Sequence, residues 1–342
     1  MSRTNSVLIT GASGEMGHGL IARLAAAEPE RPVITLDLKT LPKEMAALVH
    51  QQFHGSILDK ELLASIQAEF AVERVYHLAA LLSTRSEFSP ELAHKVNVEG
   101  TLNVLEFTQR QGESHGQPVI FFYPSSIAAY GLPSIAAKAA AGKVKEDEFN
   151  QPTTIYGANK LYCEQLGRYY SRHYRQLAAG PPAGTVDFRC IRFPGLISAE
   201  TLPSGGTSDY APEMIHAAAA GKPYACFVRP DTRIPFMTMP DAIDAIVRLV
   251  AAPRESLSRT AYNIAAFAPT ASEIEAIVER AFPQAAIRTE VDEKRQGIVD
   301  SWPADVDDSA ARRDWGHQPR FNLEQAFGEY LIPNIRNRYR AS

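Results

Sequence analysis

The sequence is short of the features that give a protein away early. It has three cysteines in 342 residues, Cys163, Cys190 and Cys226, an odd and scattered set without ligand spacing. That argues against a disulfide scaffold and reads as core thiols of a cytosolic protein. No apolar run approaches the roughly eighteen residues that a membrane-spanning helix needs. Positive charge is not in excess: 35 Lys and Arg face 39 Asp and Glu, a formal net charge of −4. Nucleic acid and membrane surfaces are therefore not expected partners. The first strand-like segment, Val7-Leu8-Ile9-Thr10, comes so early that no cleavable signal peptide is expected.

What is present is an ordinary globular composition, 45% hydrophobic and 22% charged. At about 150 residues per domain the length suggests two domains, or one large domain with a lobe. A chain of this size buries about 75% of its unfolded surface and needs neither disulfide nor metal to hold it.

The first half alternates short apolar runs with helical periodicity. Strand-like Val7–Thr10, Val33–Asp37, Val75–Leu78, Val119–Tyr123 and Val186–Arg192 alternate with helix-like Glu15–Ala27, Leu62–Phe70, Glu91–Arg110 and Tyr156–Arg175. This pattern predicts an α/β fold, a doubly wound parallel Rossmann sheet covered on both faces. After Pro194 the chain changes character. A glycine-rich loop, Pro203-Ser204-Gly205-Gly206-Thr207-Ser208, precedes a helix over Asp209–Ala220 and a short β run, Ile234–Met237. Pro240-Asp241 is expected to cap a helix over Ala242–Ala251, and Ala271–Ala281 reads as another helix before an irregular, carboxylate-rich tail. Pro181-Pro182-Ala183-Gly184 reads as a surface turn, and Ile135–Asn150 as a solvated insertion. Residues 1–194, with segments returning within 225–265, are expected to form the sheet domain; 195–224 and 266–342 would form a smaller α/β substrate lobe.

Gly11-Ala12-Ser13-Gly14-Glu15-Met16-Gly17 lies between the first strand and the first helix. Glycines there permit a tight turn, close approach to a pyrophosphate and helix–strand packing, while the helix start at Glu15 and Met16 offers free N–H groups. Asp37 ends the second strand 37 − 17 = 20 residues beyond Gly17, the place for a carboxylate on the adenosine ribose. That carboxylate repels a 2′-phosphate and favours NAD over NADP. Asp59 could accept a hydrogen bond from the adenine amine or serve as a helix cap.

Tyr156 and Lys160 stand at i and i+4 on one helix face, after a β run that ends in Ser125-Ser126. A tyrosine phenol of pKa ~10 must drop by ~3 units, about 4 kcal/mol, to act as a base near neutrality. Lys160 and a cationic nicotinamide could together provide that, with Ser126 orienting a substrate hydroxyl. His50 and His54 have helical spacing but no third ligand, so no metal is expected. Asp305, Asp307 and Asp308 read as helix-start acids, Cys163 as a packing residue, and Trp302 alone would read as a core aromatic.

Together, Gly11–Gly17, His77-Leu78-Ala79-Ala80, Ser125-Ser126, Tyr156–Lys160 and Arg192-Phe193-Pro194-Gly195 resemble the extended short-chain dehydrogenase/reductase superfamily over essentially the whole chain. The resemblance implies Tyr156 as acid/base, Lys160 as its modulator and ribose ligand, and Ser126, four residues before Tyr130, as the serine partner. It also implies that Leu78, Ala79, Ala80, Asn97 and the backbone after Pro194 line the cofactor. Pro124–Gly131, Thr154–Gly157, Pro194–Ser198, Gly205–Tyr210, Met239–Ala242 and Asp300–Pro303 narrow the resemblance to the short-chain-type L-threonine 3-dehydrogenase family. That would make the activity an NAD-dependent oxidation of the L-threonine 3-hydroxyl to 2-amino-3-ketobutyrate. Ser83, Gly206, Thr207, Ser208 and Trp302 would surround the amino acid with Ser126 and Tyr156.

The resemblance further implies a homodimer built through Glu91–Arg110 and Tyr156–Arg175. Two departures stand out. Position 208 is serine where such enzymes often have threonine, and Leu132–Pro152 is longer than usual, so the resemblance does not fix the shape of the roof above the site. A nucleotide-sugar epimerase or dehydratase that recycles NAD, with Arg229 and Arg233 on the diphosphate, is one alternative. A non-catalytic NAD sensor is another, against which the retention of Ser126, Tyr156 and Lys160 argues.

Overall fold

Seven parallel strands form the centre of the molecule, which is a computed structural model describing residues 3–179, 186–203 and 205–340. The expected turn Pro181–Gly184 and Ser204 of the glycine-rich loop lie outside the described residues. In space the strands run Ala261–Asn263, Val186–Phe193, Val119–Ser126, Phe70–His77, Thr4–Thr10, Val33–Asp37 and Gln51–His54. The sequence order reverses between Thr4–Thr10 and Phe70–His77, and such a reversal opens a crevice at the carboxyl ends of the two strands.

The two-residue period of the strands sorts their side chains onto opposite faces. Val7 and Ile9 pack with Leu20, Leu24, Ile243 and Ile246 on one side; Leu8 packs with Ile34, Ile66, Val104 and Phe107 on the other. Val186–Phe193 is buried at all eight positions, as a strand covered on both faces requires. Ala261–Asn263 and the helix Met239–Ala251 return to the sheet after the chain has left it. A third core lies beyond the strand ends, where Tyr130, Val144, Tyr210, Phe236, Val299 and Trp302 meet.

Several expectations are corrected. The helix expected over Glu91–Arg110 runs from Pro90 to His115 and contains a π-helical turn at Lys95–Glu99. The helix Met239–Ala251 is capped by Thr238, whose hydroxyl accepts from the Asp241 N–H at 3.3 Å. Asp241 instead faces the chain at Arg320, whose N–H it accepts at 2.7 Å. The tail is not irregular. It holds helices at Glu293–Asp300, Ser309–Trp315 and Ile332–Arg340, and Ala310, Ala311 and Trp315 join the sheet-side core.

The 135–150 insertion is packed rather than solvated. A helix, Ile135–Ala141, buries Lys138; a two-residue strand, Lys143–Val144, pairs with Asp305–Val306; Glu146 is buried as well. Its alanines and charges read as solvent-facing, yet its strand partners, Asp305 and Val306, lie in the tail, beyond the reach of local periodicity.

Candidate active site

The crevice at the strand reversal is shaped by three glycines with separate duties. Gly11 sits at φ +70°, and a Cβ there would lie 2.5 Å from the Ala79 nitrogen. A Cβ on Gly17 would lie 2.3 Å from the Ala12 carbonyl oxygen. Gly14 is the N-cap of Glu15–Ala27 and has no side chain to cap it, so the N–H groups of the first turn stay available to an anion. Asp37 accepts from the Ser13 N–H at 2.9 Å and the Lys39 N–H at 2.8 Å, which fixes its carboxylate beside this loop. These residues fit a dinucleotide: an uncapped helix start for the pyrophosphate and a fixed acid for a ribose diol. Glu15 adds a buried carboxylate oxygen without a partner among the described residues, an acceptor suited to a hydroxyl donor. Asp59 caps Lys60–Glu69, accepting from the N–H groups of Glu61 and Leu62 at 3.1 and 3.0 Å.

Opposite the glycine loop, Leu78, Ala79 and Ala80 are half-buried. Asn97, expected to line the cofactor, has both ends of its amide on Leu81: its oxygen accepts the Leu81 N–H at 2.7 Å and its nitrogen donates to the Leu81 carbonyl at 3.1 Å. It fixes the loop wall rather than offering a free amide, and it does so from the π turn, a geometry frequent at functional sites. His77, buried beneath, bridges Thr10 Oγ1 and Thr101 Oγ1 at 2.7 and 3.0 Å. Burial, with the Lys160 charge nearby, pulls its pKa down to about 3.

The side chains expected to be catalytic come from a strand end and a helix start pressed together. Ser126 ends its strand and accepts the Ala128 N–H at 3.1 Å. A Cβ on Gly157 would stand 1.9 Å from the Ala128 carbonyl oxygen, and one on Gly131 1.7 Å from that of Gln151. Only glycine at both positions lets the turn after Ser126 approach the helix Ile155–Arg172 so closely. Thr154 caps that helix through the Gly157 N–H at 3.0 Å. Lys160 Nζ donates to the Pro124 carbonyl at 2.6 Å and stands 4.6 Å from the Tyr123 ring centroid and 5.4 Å from that of Tyr156. Burial raises the Tyr156 phenol well above its ordinary value and lowers the Lys160 ammonium to about 8. Lys160 by itself does not depress the phenol, because desolvation of the phenolate outweighs a cation at this distance; the depression was expected from Lys160 together with a cationic nicotinamide.

A buried network that the sequence reading missed lies behind this pair. Glu164, one turn beyond Lys160, accepts from Ser125 Oγ at 2.5 Å and from Arg192 Nε and Nη2 at 2.9 and 2.7 Å. Arg192 also donates to the Glu146 carbonyl at 3.0 Å and lies 4.6 Å from the Tyr130 ring centroid. The available signal was the third member of an i, i+4, i+8 series: Tyr156, Lys160, Glu164.

On the lobe side, Thr84 Oγ1 donates to the Gly205 carbonyl at 2.9 Å, joining the glycine-rich loop to the helix that begins at Ser83. The Gly206 N–H is engaged with Asp209 at 2.6 Å, which leaves the buried Thr207 and half-buried Ser208 to supply hydroxyls. Arg295 Nη2 holds the Gly206 carbonyl at 2.7 Å. Ser301 accepts the Leu132 N–H on its carbonyl at 2.8 Å and hydrogen-bonds Thr153 Oγ1 at 2.9 Å. Trp302 is thereby placed in the core that Ile127, Ala128 and Tyr156 also touch, its indole N–H without an acceptor among the described residues. After Pro194, Gly195–Ile197 pairs in parallel with Phe236–Thr238, with the Gly195 N–H on the Pro235 carbonyl at 3.0 Å.

Arg229 and Arg233, the candidates for a diphosphate, are otherwise engaged. Arg229 makes a bidentate pair with Asp300 at 2.9 Å on both arms, and Arg233 reaches Glu273 at 3.3 Å. His54 ends the strand Gln51–His54 with His50 just before it, and among the described residues no group of three His, Cys, Asp or Glu could hold a metal ion. Asp308 is the N-cap residue of Ser309–Trp315 and pairs with Arg312, while Asp307 accepts the Ser309 N–H at 2.9 Å. No helix among the described residues is long and apolar enough to cross a membrane.

Residues 7–265 match the NAD dependent epimerase/dehydratase family. Among curated proteins the chain is 36% identical over 319 residues to a mitochondrial L-threonine 3-dehydrogenase of Bos taurus, covering 93% of this chain and 80% of the relative. Among solved structures it resembles L-threonine dehydrogenase from Clostridium difficile, with TM-score 0.86, 31% identity and 99% of each chain covered. It also resembles a monomeric L-threonine 3-dehydrogenase from a metagenome in its apo form, with TM-score 0.84, 35% identity, and 97% and 99% of the two chains covered.

Proposed function

The chain belongs to the NAD-dependent epimerase/dehydratase family, and on that premise we propose that it oxidises the 3-hydroxyl of L-threonine to give 2-amino-3-ketobutyrate. The observation that carries the choice of substrate is the engagement of Arg229 and Arg233 with Asp300 and Glu273, which takes up the two arginines expected to meet a nucleotide diphosphate. The loop at 206–208 offers instead hydroxyls and peptide groups on the scale of an amino-acid carboxylate. The similarity to threonine dehydrogenases extends through the lobe as well as the sheet.

The residues divide the work as follows. The N–H groups of the Glu15–Ala27 helix start receive the pyrophosphate and Asp37 the adenosine ribose. NAD, when bound, supplies the hydride acceptor and a positive ring. Ser126 Oγ orients the substrate hydroxyl, and the Tyr156 phenol oxygen takes its proton. Lys160 keeps a cation under the phenol ring, its position set by the Pro124 carbonyl. Trp302 closes the amino-acid side.

We also propose a homodimer. Phe88 is 84% exposed, and Tyr162 and Tyr169 on the catalytic helix are 54% and 41% exposed, an apolar patch that suits a second copy. The free, buried cysteines suit a reducing compartment such as the cytoplasm.

The test is NADH formation by purified protein with NAD and L-threonine, with Tyr156→Phe as control. Turnover of a sugar nucleotide and none of threonine would replace this reading by the epimerase one; NAD binding without either reaction would point to a sensor.

A further inference from the structure

The insertion bears directly on the amino-acid side of the site through one atom. Lys138, on the helix Ile135–Ala141, is buried, and its Nζ donates to the Val299 carbonyl at 2.9 Å. That same carbonyl accepts the backbone N–H of Trp302 at 3.2 Å. It belongs to the last turn of Glu293–Asp300, where carbonyls lack intrahelical partners and favour a cation. On either side of it the insertion is tied again, by Leu132 to the Ser301 carbonyl and by Thr153 to the Ser301 hydroxyl. The turn that presents Trp302 is therefore held at three points by residues 132–153, and the central one is a buried ammonium.

A buried ammonium is expensive, and burial already lowers this one to about 8. Its carboxylate neighbours do not take it over: Asp300 is engaged with Arg229 and with Gln296 Nε2 at 2.8 Å. An aliphatic residue of the same length would fill the space without desolvating a charge. What only the ammonium supplies here is a fixed donor for the carbonyl that also carries Trp302.

We infer that Lys138 is a positioning residue that sets the placement of Trp302 in the core against which Tyr156 also packs, so that the insertion governs how closely the site fits the substituent on the carbinol carbon of a 3-hydroxy amino acid. The positional part stands on the contacts alone; the consequence for substrate fit rests on the reading in the preceding subsection.

The two parts are separated by carrying out the test in a Trp315→Phe background, where Trp302 is the one tryptophan left. Lys138→Met should shift the emission maximum of Trp302 and increase its quenching by acrylamide, with the thermal midpoint nearly unchanged. With threonine and NAD, KM for the amino acid should rise roughly fivefold and the preference for threonine over serine should fall, while KM for NAD stays put. Lys138→Arg, which keeps a cationic donor, should restore most of both. Should Lys138→Met fail to fold, the emission of Lys138→Arg set against Lys138→Gln decides in its place. Unchanged Trp302 emission in a folded variant lacking the cation overturns the inference whatever the substrate. A shifted emission in a protein that never oxidises threonine upholds the positioning and removes the substrate reading.

Discussion

Burial raises the Tyr156 phenol and pulls its neighbour Lys160 down to about 8, both away from the charged pair that the proposed reaction needs. The two shifts have one cause, the loss of water around both groups, and each makes the charged pair harder to form in isolation. On the proposed reading the positive ring of the oxidised cofactor would offset this, so proton abstraction is expected to depend on cofactor binding. Tyr156→Phe should lower kcat by about 10²–10⁴-fold while NAD still binds, as measured by fluorescence titration. If Lys160 stabilises the phenolate as proposed, Lys160→Met raises the phenol pKa in the ternary complex. The acidic limb of the kcat–pH profile should move to higher pH, and a limb that stays in place would show that Lys160 acts only on structure. At the other end of the cofactor, Asp37→Asn removes the charge that opposes a 2′-phosphate and leaves one acceptor for Ser13 and Lys39. NAD should bind more weakly and the ratio of kcat/KM for NAD over NADP should fall.

The elements that carry these side chains are held by close backbone approach and by one buried ion pair. A methyl group on Gly157 has 1.9 Å to the Ala128 carbonyl, so Gly157→Ala must push the helix start away from the Ser126 turn. Overpacking of this kind costs about 1–3 kcal/mol, and the loss of activity in the folded fraction should exceed what that cost explains, because Tyr156 moves with the helix. Glu164→Gln leaves Arg192 charged and buried without a carboxylate, which should destabilise by about 3–5 kcal/mol in urea melts. Adding Arg192→Met should recover part of that loss, the sign of coupling that a double-mutant cycle reads. Helices and long strands were legible where their apolar periodicity is local, and Glu15–Ala27 and Val33–Asp37 in the first half and Ala271–Ala281 in the second match their expected bounds. That Ser126, Tyr156 and Lys160 come together was legible because spacing along a strand end and a helix is also local; their roles remain those of the proposed function. Lys138, Glu146 and Arg295 were not, since each acquires its role from a partner many tens of residues away: Val299, Asn263 and Gly206. The resemblance points to Asn97, and its clamp on Leu81 depends on a π turn that no periodicity announces.

At the scale of the whole molecule, three histidines are folded in as neutral rings, and this gives the protein a direction of acid sensitivity. Burial lowers His77 to about 3, and His216 and His317 to about 4. They sit in different places: His77 under the strand reversal, His216 on the lobe helix Tyr210–Ala219 beside Tyr339, and His317 against Trp315 on the sheet side. In the unfolded chain each would titrate at about 6.5. Between that value and the folded one the unfolded state binds more protons, so stability rises with pH there, is fully present above about pH 6.5 and is lost as pH falls toward 4. Each such histidine contributes a slope of about 1.4 kcal/mol per pH unit, so three acting together approach about 4 kcal/mol per pH unit before the carboxylates begin to protonate. Urea midpoints taken at steps from pH 7.5 to 5 should therefore be flat at the top and then fall steeply. His77→Gln keeps a polar side chain between Thr10 and Thr101 but cannot titrate, so its stability starts lower at neutral pH and then falls less steeply, by one proton's worth of slope. If variant and parent descend in parallel, the acid sensitivity arises elsewhere and the neutral, buried His77 is not part of it.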